Sequence, residues 1–405
     1  MLKNFLKTNV ISSLLIIFSF FIILNNFFRF FQNKTSHQFV PWLSNYQGGF
    51  VRRGLPGEFF FQLHELFSIH LGWITFIFVC ILYFLFYLIF FNLIKKIKLN
   101  IFFIFAIFSP ISFYFPILNS KATGHKDIIF LLFLSLFCYL IPKIKKEHAN
   151  YTMILLIILV VLSHDGLIFF IPYLIIPFLT FYKFENFREV FINLLPASII
   201  SILLMILIYN FKGTEQHVIE ICNSIKSYAH SECENIGQIS ALKYVLTDNI
   251  MQKSKLVYGG LSVYPAYFKI YIAGFIIGFM PLMILYNKSK FQSAIAGIKI
   301  NSLLFLFFPL ITSFPIYYIA ADWGRYLHIS YISSLVLIIF FLQNNIFDMK
   351  KIKLSTKSFI SKIIFIFIFI IYCFGWTVPV CCEKKFKPGI YKVIDRIIYY
   401  YNKEN

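Results

Sequence analysis

Long apolar runs alternate with short polar interruptions along the whole chain. The runs lie near 10–31, 72–94, 100–118, 127–142, 151–163, 167–182, 191–210, 267–286, 301–320, 326–343 and 362–378. A helix needs about 20 largely apolar residues to cross a bilayer, so the pattern predicts an all-α polytopic membrane protein with about 11 transmembrane helices (10–12). Two runs, 151–163 and 167–182, are short and flank His164, Asp165 and Gly166. They form either one long helix or two half-length helices meeting at a polar break, which is tolerated where the break lines a cavity.

Charge separates these alternatives. With the break kept, segments 1–9, 95–99, 142–150, 183–190, 287–300 and 344–362 share one side and hold eighteen Lys and Arg, against three in 119–127, 164–166 and 321–325. Fusing the two runs would move the Lys-rich 344–362 to the opposite side, against the positive-inside tendency. The break therefore stays, with its His-Asp-Gly facing outward. The basic tail 383–405, with six Lys and Arg, then falls outside, and Ile390, Val393, Ile397 and Ile398 have the spacing of an interfacial amphipathic helix.

Two outer loops are long. The first, 32–71, contains a stretch at 58–72 whose Phe60, Leu63 and Phe67 suit a helix lying along the membrane surface. The second, 211–266, is too small and too poor in core residues for an independent domain. Residues 1–382 thus read as one transmembrane helical domain, followed by the basic tail. The first run is full length with no small-residue cleavage site behind it, so it is expected to be a transmembrane helix that also directs insertion.

Composition agrees and removes one class of function. Only 13% of residues are charged and the mean hydropathy is +0.78, whereas soluble domains carry about 25% charged residues. A net charge of +20 would suggest nucleic acid in a soluble domain. Here the basic residues sit in short clusters between apolar runs, so membrane lipids, and no nucleic acid, are the expected surroundings. Cys80, Cys138 and Cys373 lie in apolar runs as small core residues. Cys222 and Cys233 share the second outer loop and could form a disulfide if that loop faces an oxidising compartment. With His217 and His230 they lack tetrahedral spacing for zinc.

Four polar sequences, GGFVRRGLPGE (48–58), GHKD (124–127), SHDG (163–166) and DWGR (322–325), fall on the outer side in this topology. Ionisable groups are costly in a membrane, so their convergence marks a candidate site. Arg52 and Arg53 lie among glycines that let backbone approach an anion, and guanidinium forks pair with phosphate oxygens. Glu58 could act as a base or metal ligand. Asp127, preceded by His125 and Lys126, opens an apolar run, where it suits the helix dipole as well as chemistry. His164 and Asp165 suit general base work or orientation of a hydroxyl, or a helix-breaking turn with Asp165 as a cap. Asp322 and Arg325, three apart, are either a structural ion pair or a phosphate holder with its orienting acid.

The order of these features resembles the GT-C superfamily of integral-membrane glycosyltransferases, which use polyprenyl-phosphate-linked sugar donors. The resemblance rests on an acid in the first outer loop, a second outer loop ending in the Asp of GHKDIIFLLFLSLFCYL, a run pair split by a polar motif, and a later outer-edge RYL. It implies that Glu58 is the first-loop acid and Asp127 the second-loop acid. It further implies that His164 and Asp165 face the donor and that Arg325 holds its phosphate. Residues 32–57 depart from the family pattern, since they contain no acid and carry Arg52 and Arg53 in mid-loop.

The function expected is transfer of a sugar from a lipid-linked donor to an envelope glycan or lipid acceptor, on the periplasmic or extracellular face of a bacterial cytoplasmic membrane. Glu58, Asp127, His164 and Asp165 are the catalytic candidates; Arg52, Arg53, Lys126, Asp322 and Arg325 are the donor-binding ones. A divalent cation, Mg or Mn, could bridge Glu58 and Asp127 to the phosphate. Two alternatives are an O-antigen or capsule polysaccharide polymerase or ligase of another fold, and a non-enzymatic lipid-linked sugar flippase or transporter. The transporter predicts an internal repeat and mid-span acids, and neither is found in the sequence.

Overall fold

Most apolar runs become helices, and α-helical continuity is lost within run 100–118 at the turn around Pro110 and between runs 151–163 and 167–182 at the polar cluster of His164. The structure is a computed structural model; it describes residues 39–97, 99–119, 122–226, 264–292, 295–320, 322–349 and 359–380, with 13, 17, 19–24, 239 and 242. In chain order come α1 (Leu55–Phe67), α2 (Leu71–Ile94), α3 (Ile101–Ile107), α4 (Asp127–Leu140), α5 (Lys146–Ser163), α6 (Pro172–Phe181), α7 (Phe187–Asn210), α8 (Glu215–Ser224) and α9 (Tyr264–Lys288). After these follow β1 (Ser289–Phe291), α10 (Leu304–Ile319), α11 (Trp323–Gln343), β2 (Phe347–Met349) and α12 (Phe359–Phe374). The chain is mostly helical, as the apolar pattern requires.

Among the described residues, five helices are long and apolar enough to cross a membrane: α2, α5, α7, α9 and α11. Runs 127–142, 167–182, 301–320 and 362–378 give shorter helices, and most of run 10–31 lies outside the described residues. The predicted run 100–118 is not one helix, because α3 stops at Ile107 and the chain turns through 108–114, where Pro110 has no N–H to continue the ladder. α4 has 14 residues, about 21 Å at 1.5 Å per residue. Prolines also interrupt the ladders of α6 (Pro177) and α10 (Pro309 and Pro315). The break at His164 is present: α5 ends at Ser163, His164 is extended (φ −157°, ψ 106°), and a 3-10 turn runs over Asp165–Phe170 before α6.

α11 is the central element, with Ile329, Tyr331, Ile332, Leu335, Val336 and Ile339 fully buried. A helix apolar on all sides belongs in the core of a bundle. α7 is its opposite, exposing Phe191, Ile192, Leu195, Ile199, Ile202 and Leu203.

Hydrogen bonds at the helix ends sort the connections into two groups. At one end Tyr182 Oη donates to Ile141 O and Ile144 O (3.1 and 2.8 Å), Ala296 N donates to Phe184 O (3.1 Å), and Asn100 Nδ2 reaches Met349 Sδ (3.3 Å). There β1 and β2 pair antiparallel, with Lys290 opposite Asp348, and Lys146 forms an ion pair with Glu189. At the other end Trp42 Nε1 donates to Gly124 O (2.6 Å), and Gly324 N donates to Val380 O (3.1 Å). Among the described residues, the connections after α2, α4, α6, α9 and α11 therefore gather at one end and the four polar clusters at the other.

Of the stretch 58–72, residues 58–67 are helical within α1, with Phe60 buried and Leu66 and Phe67 exposed; Ser68 (φ 54°) ends that helix and Leu71 opens α2. The tail 383–405 and Cys233 lie outside the described residues, as does His230. Cys222 is disulfide-bonded.

Candidate functional site

The loop before α1 enters the site on three glycines, two of which leave no room for a side chain. A Cβ on Gly57 would stand 1.9 Å from Ser44 O, and one on Gly54 would stand 2.2 Å from the Tyr46 ring. Gly49 has φ +115°, and a Cβ there would stand 3.0 Å from His217 Nε2. The first two approaches fold 44–57 back on itself, the third sets it against α8, and together they deliver Arg52 and Arg53 beside the start of α1. Arg53 itself has φ 66°, a left-handed backbone that costs a non-glycine residue about 1 kcal/mol or more and persists only where neighbours hold it.

Two neighbours hold Arg53. Its carbonyl accepts from Lys126 Nζ at 2.8 Å, and its Nε donates to Asp165 Oδ1 at 2.5 Å. Arg52 Nη1 donates to the other oxygen, Asp165 Oδ2, at 2.7 Å. Gly166 N adds a further bond to Oδ1 (2.9 Å). Asp165 is therefore clamped between two guanidinium groups at the mouth of the α5 break.

Arg325 shows the reverse arrangement, one guanidinium between two acids. Its Nε and Nη2 donate to Asp127 Oδ2 and Oδ1 at 2.9 and 2.8 Å, a bidentate fork, and Nη1 donates to Asp322 Oδ2 at 2.6 Å. Consecutive residues Lys126 and Asp127 link the two networks across the start of α4. Gly324 permits the approach of the chain after α12, since a Cβ there would lie 2.0 Å from Pro379 O. Behind the Asp127–Arg325 pair is a small cavity walled by Tyr83, Phe86, Phe113, His125 and His328, about 20 Å³ for a water-sized sphere, enough for one water.

Glu58 differs from the other acids. Its carboxylate accepts from Tyr46 N (2.9 Å), Gln62 Nε2 (2.7 Å) and Gln47 Nε2 (3.3 Å), all neutral donors, and it is only half-buried. Burial, and secondarily the Glu58 charge, push the Tyr46 phenol up to about 12, so it stays protonated. His164 is pushed down to about 3 by burial and then by the Arg53 charge, so it is neutral near pH 7. Its Nδ1 is 3.7 Å from Asp165 Oδ1, too far for a hydrogen bond.

The structure thus brings together Arg52, Arg53, Lys126, Asp127, His164, Asp165, Asp322 and Arg325, with Glu58 one helical turn beyond Gly54 on the same loop. It also redistributes their expected roles. Asp127 and Asp165 have both oxygens committed to arginines, which leaves them to position cations; neither is a free base. The expected bridge of a divalent cation between Glu58 and Asp127 does not fit this donor set, because Arg325 occupies both Asp127 oxygens. Among the described residues, no group of three His, Cys, Asp or Glu side chains is placed to hold a metal.

Sequence reasoning passed over Trp42, which is buried, bonds Gly124 O and lies under Lys126 with Nζ 5.9 Å from the ring centre. An isolated Trp in a polar loop was the available signal. It also passed over α8, which docks on the first loop through Asn45 Nδ2 to Ser224 Oγ (2.8 Å) and through His217 against Gly48 and Gly49. Compared with protein families, curated proteins and solved structures, the chain matches none.

Proposed function

We propose that the chain is a membrane glycosyltransferase of GT-C type, with about eleven passes, that moves a sugar from a polyprenyl-phosphate-linked donor to an envelope glycan or lipid acceptor. The observation that carries this reading is the exposed guanidinium edge at the polar end: Arg52, Arg53, Lys126 and Arg325 converge there, and Asp127 and Asp165 have both oxygens taken by arginines, so an incoming anion meets a cation whose carboxylate partner is already shared. Arg53 is the natural point of contact, because its side chain is 26% exposed and its Nε alone is bonded, leaving the Nη edge free among the described residues.

The chemistry follows from these placements. Glu58 removes the proton from the acceptor hydroxyl, whose oxygen attacks the anomeric carbon of the donor. The bond from that carbon to the phosphate oxygen breaks, and polyprenyl phosphate leaves with the electron pair. Arg53, held by Asp165 and backed by Arg52, stabilises the negative charge as it develops. Clustering of basic segments at the far end favours the polar end facing outward, and a disulfide at Cys222 suits an oxidising compartment on that side.

The test is sugar transfer from a lipid-linked donor in reconstituted membranes. Glu58→Gln is expected to lower turnover by about 10²–10⁴, the usual worth of a general base, and Arg53→Gln by about 10²–10³, with expression unchanged. Full activity in both variants would sink this assignment. Surface glycans of a deletion strain separate the outcomes further, since an undecorated polymer indicates single transfer and a shortened one a polymerase.

A further inference from the structure

Lys126 is a buried cation at the polar end with no carboxylate partner among the described residues. Its side chain belongs to a residue only 3% exposed, and Nζ makes one hydrogen bond, to the Arg53 carbonyl at 2.8 Å. No carboxylate oxygen lies within 4 Å of it among the described residues. An ammonium has three donors, so the charged form would leave two of them unmet in a buried setting, a costly arrangement. The indole of Trp42, 5.9 Å away, offers a weak contact in compensation.

The charges that surround Lys126 explain which form it takes. From the first outer loop come Arg52 and Arg53, and from the α5 break come neutral His164 and Asp165, whose charge is already shared by those two arginines. On its own segment stand His125 and Asp127, and Asp127 with Asp322 is engaged by Arg325 of α11. Burial first and the Arg53 charge second hold the Lys126 amine well below its ordinary value, with Asp165 opposing them. The same geometry changes when an anion docks on the free edge of Arg53, because that charge is then offset and a negative group lies nearby. An opposite charge within about 6 Å favours the protonated form by roughly ten- to a thousandfold.

We propose that Lys126 is the proton-coupled member of the anion site: an uncharged amine while the site is empty, it takes up one proton as a phosphate group docks on Arg53. This rests on the anion site proposed above and adds to it. Free lysine is fully protonated near neutrality, so uptake at pH 8 requires the neutral amine that this cluster creates. In the same way, affinity for the anion falls as pH rises, because the bound form must collect a proton that becomes scarcer.

Titration calorimetry of the full-length protein in nanodiscs tests this, with farnesyl phosphate as the probe at pH 8, where the phosphate is already a dianion. Run in Tris and in phosphate-free HEPES, whose ionisation heats differ, the wild-type chain is expected to take up about one proton per bound probe. Lys126→Met is expected to bind with about zero uptake, and Lys126→Arg, permanently charged, likewise. Binding by the wild type with no buffer-dependent heat overturns the role of Lys126 and leaves the anion site standing. Equal uptake in wild type and Lys126→Arg overturns it too. No binding by the wild type at millimolar probe overturns the anion site and the proposal together. The two-buffer comparison on the wild type decides the question even if Lys126→Met does not fold.

Discussion

At the scale of single residues, the site depends on side chains that are absent as much as on those present. Gly57 touches Ser44 backbone so closely that any Cβ must move the chain, since a carbonyl in a folded loop cannot swing aside as a side-chain tip can. Gly57→Ala is therefore expected to destabilise by about 1–3 kcal/mol, the usual range for overpacking, seen as a lower melting temperature in detergent. Gly297→Ala is the comparison, because nothing lies within 4 Å of its Cβ position, and its φ of +80° confines the cost to local backbone strain. If Gly57→Ala melts no lower than Gly297→Ala, the fold-back of 44–57 is not what delivers Arg52 and Arg53. Glu58 owes its accessibility to the same turn, which leaves its oxygens to neutral amides and a backbone N–H.

At the scale of elements, α4 and α11 are fastened by charge where they meet. Asp127 and Arg325 form a buried bidentate pair, while Asp322 binds the same guanidinium from a more exposed position, with 32% of its side chain open against 11% for Asp127. Removing one member of a buried pair costs about 3–5 kcal/mol, whereas exposed pairs contribute about 0–1. Asp127→Ala is thus expected to lower the melting temperature well beyond Asp322→Ala. Equal losses would show that the fork at Asp127 does not dominate the α4–α11 junction. The α5 break is the other element-scale device. Asp165 sits at the first position of the 3-10 turn, bonded to Gly166 N and both arginines, so the polar triplet ends one helix and anchors the loop before α1 to it.

At the scale of the whole molecule, the fold separates two chemistries along the helix axes. Among the described residues, the polar clusters occupy one end, and the connections tied by the β1–β2 ribbon, with Lys145, Lys146 and Lys290, occupy the other. A single Cys in place of exposed Gln62 is expected to react with a membrane-impermeant maleimide in intact cells. One in place of Lys145 is expected to react only after the membrane is opened. Labelling of both from the outside would end the two-sided arrangement. The disulfide at Cys222 lies at the polar end, since α8 carries it and docks on the loop before α1 beside Asn45.

Much of this was legible in the linear chain. Apolar runs and the asymmetry of basic residues pointed to a helical chain with membrane-length apolar helices, the break at His164 and the gathering of four polar clusters, because hydropathy and charge are carried by the residues themselves. Helix lengths were less legible: run 100–118 counts as a span by composition, but Pro110 and the polar Ser109 and Ser112 turn it back. The pairing within the site was decided only by tertiary structure. Nothing in the spacing of Arg52, Arg53, Asp127, Asp165 and Arg325 tells which acid meets which base, and partners 112, 113 and 198 positions apart meet only when helices pack. That packing buries Lys126 without a carboxylate, commits Asp127 and Asp165 to arginines and leaves Glu58 open. Sequence fixes the charges a chain carries, but the desolvation and contacts that decide what each charge can do arise only in the fold.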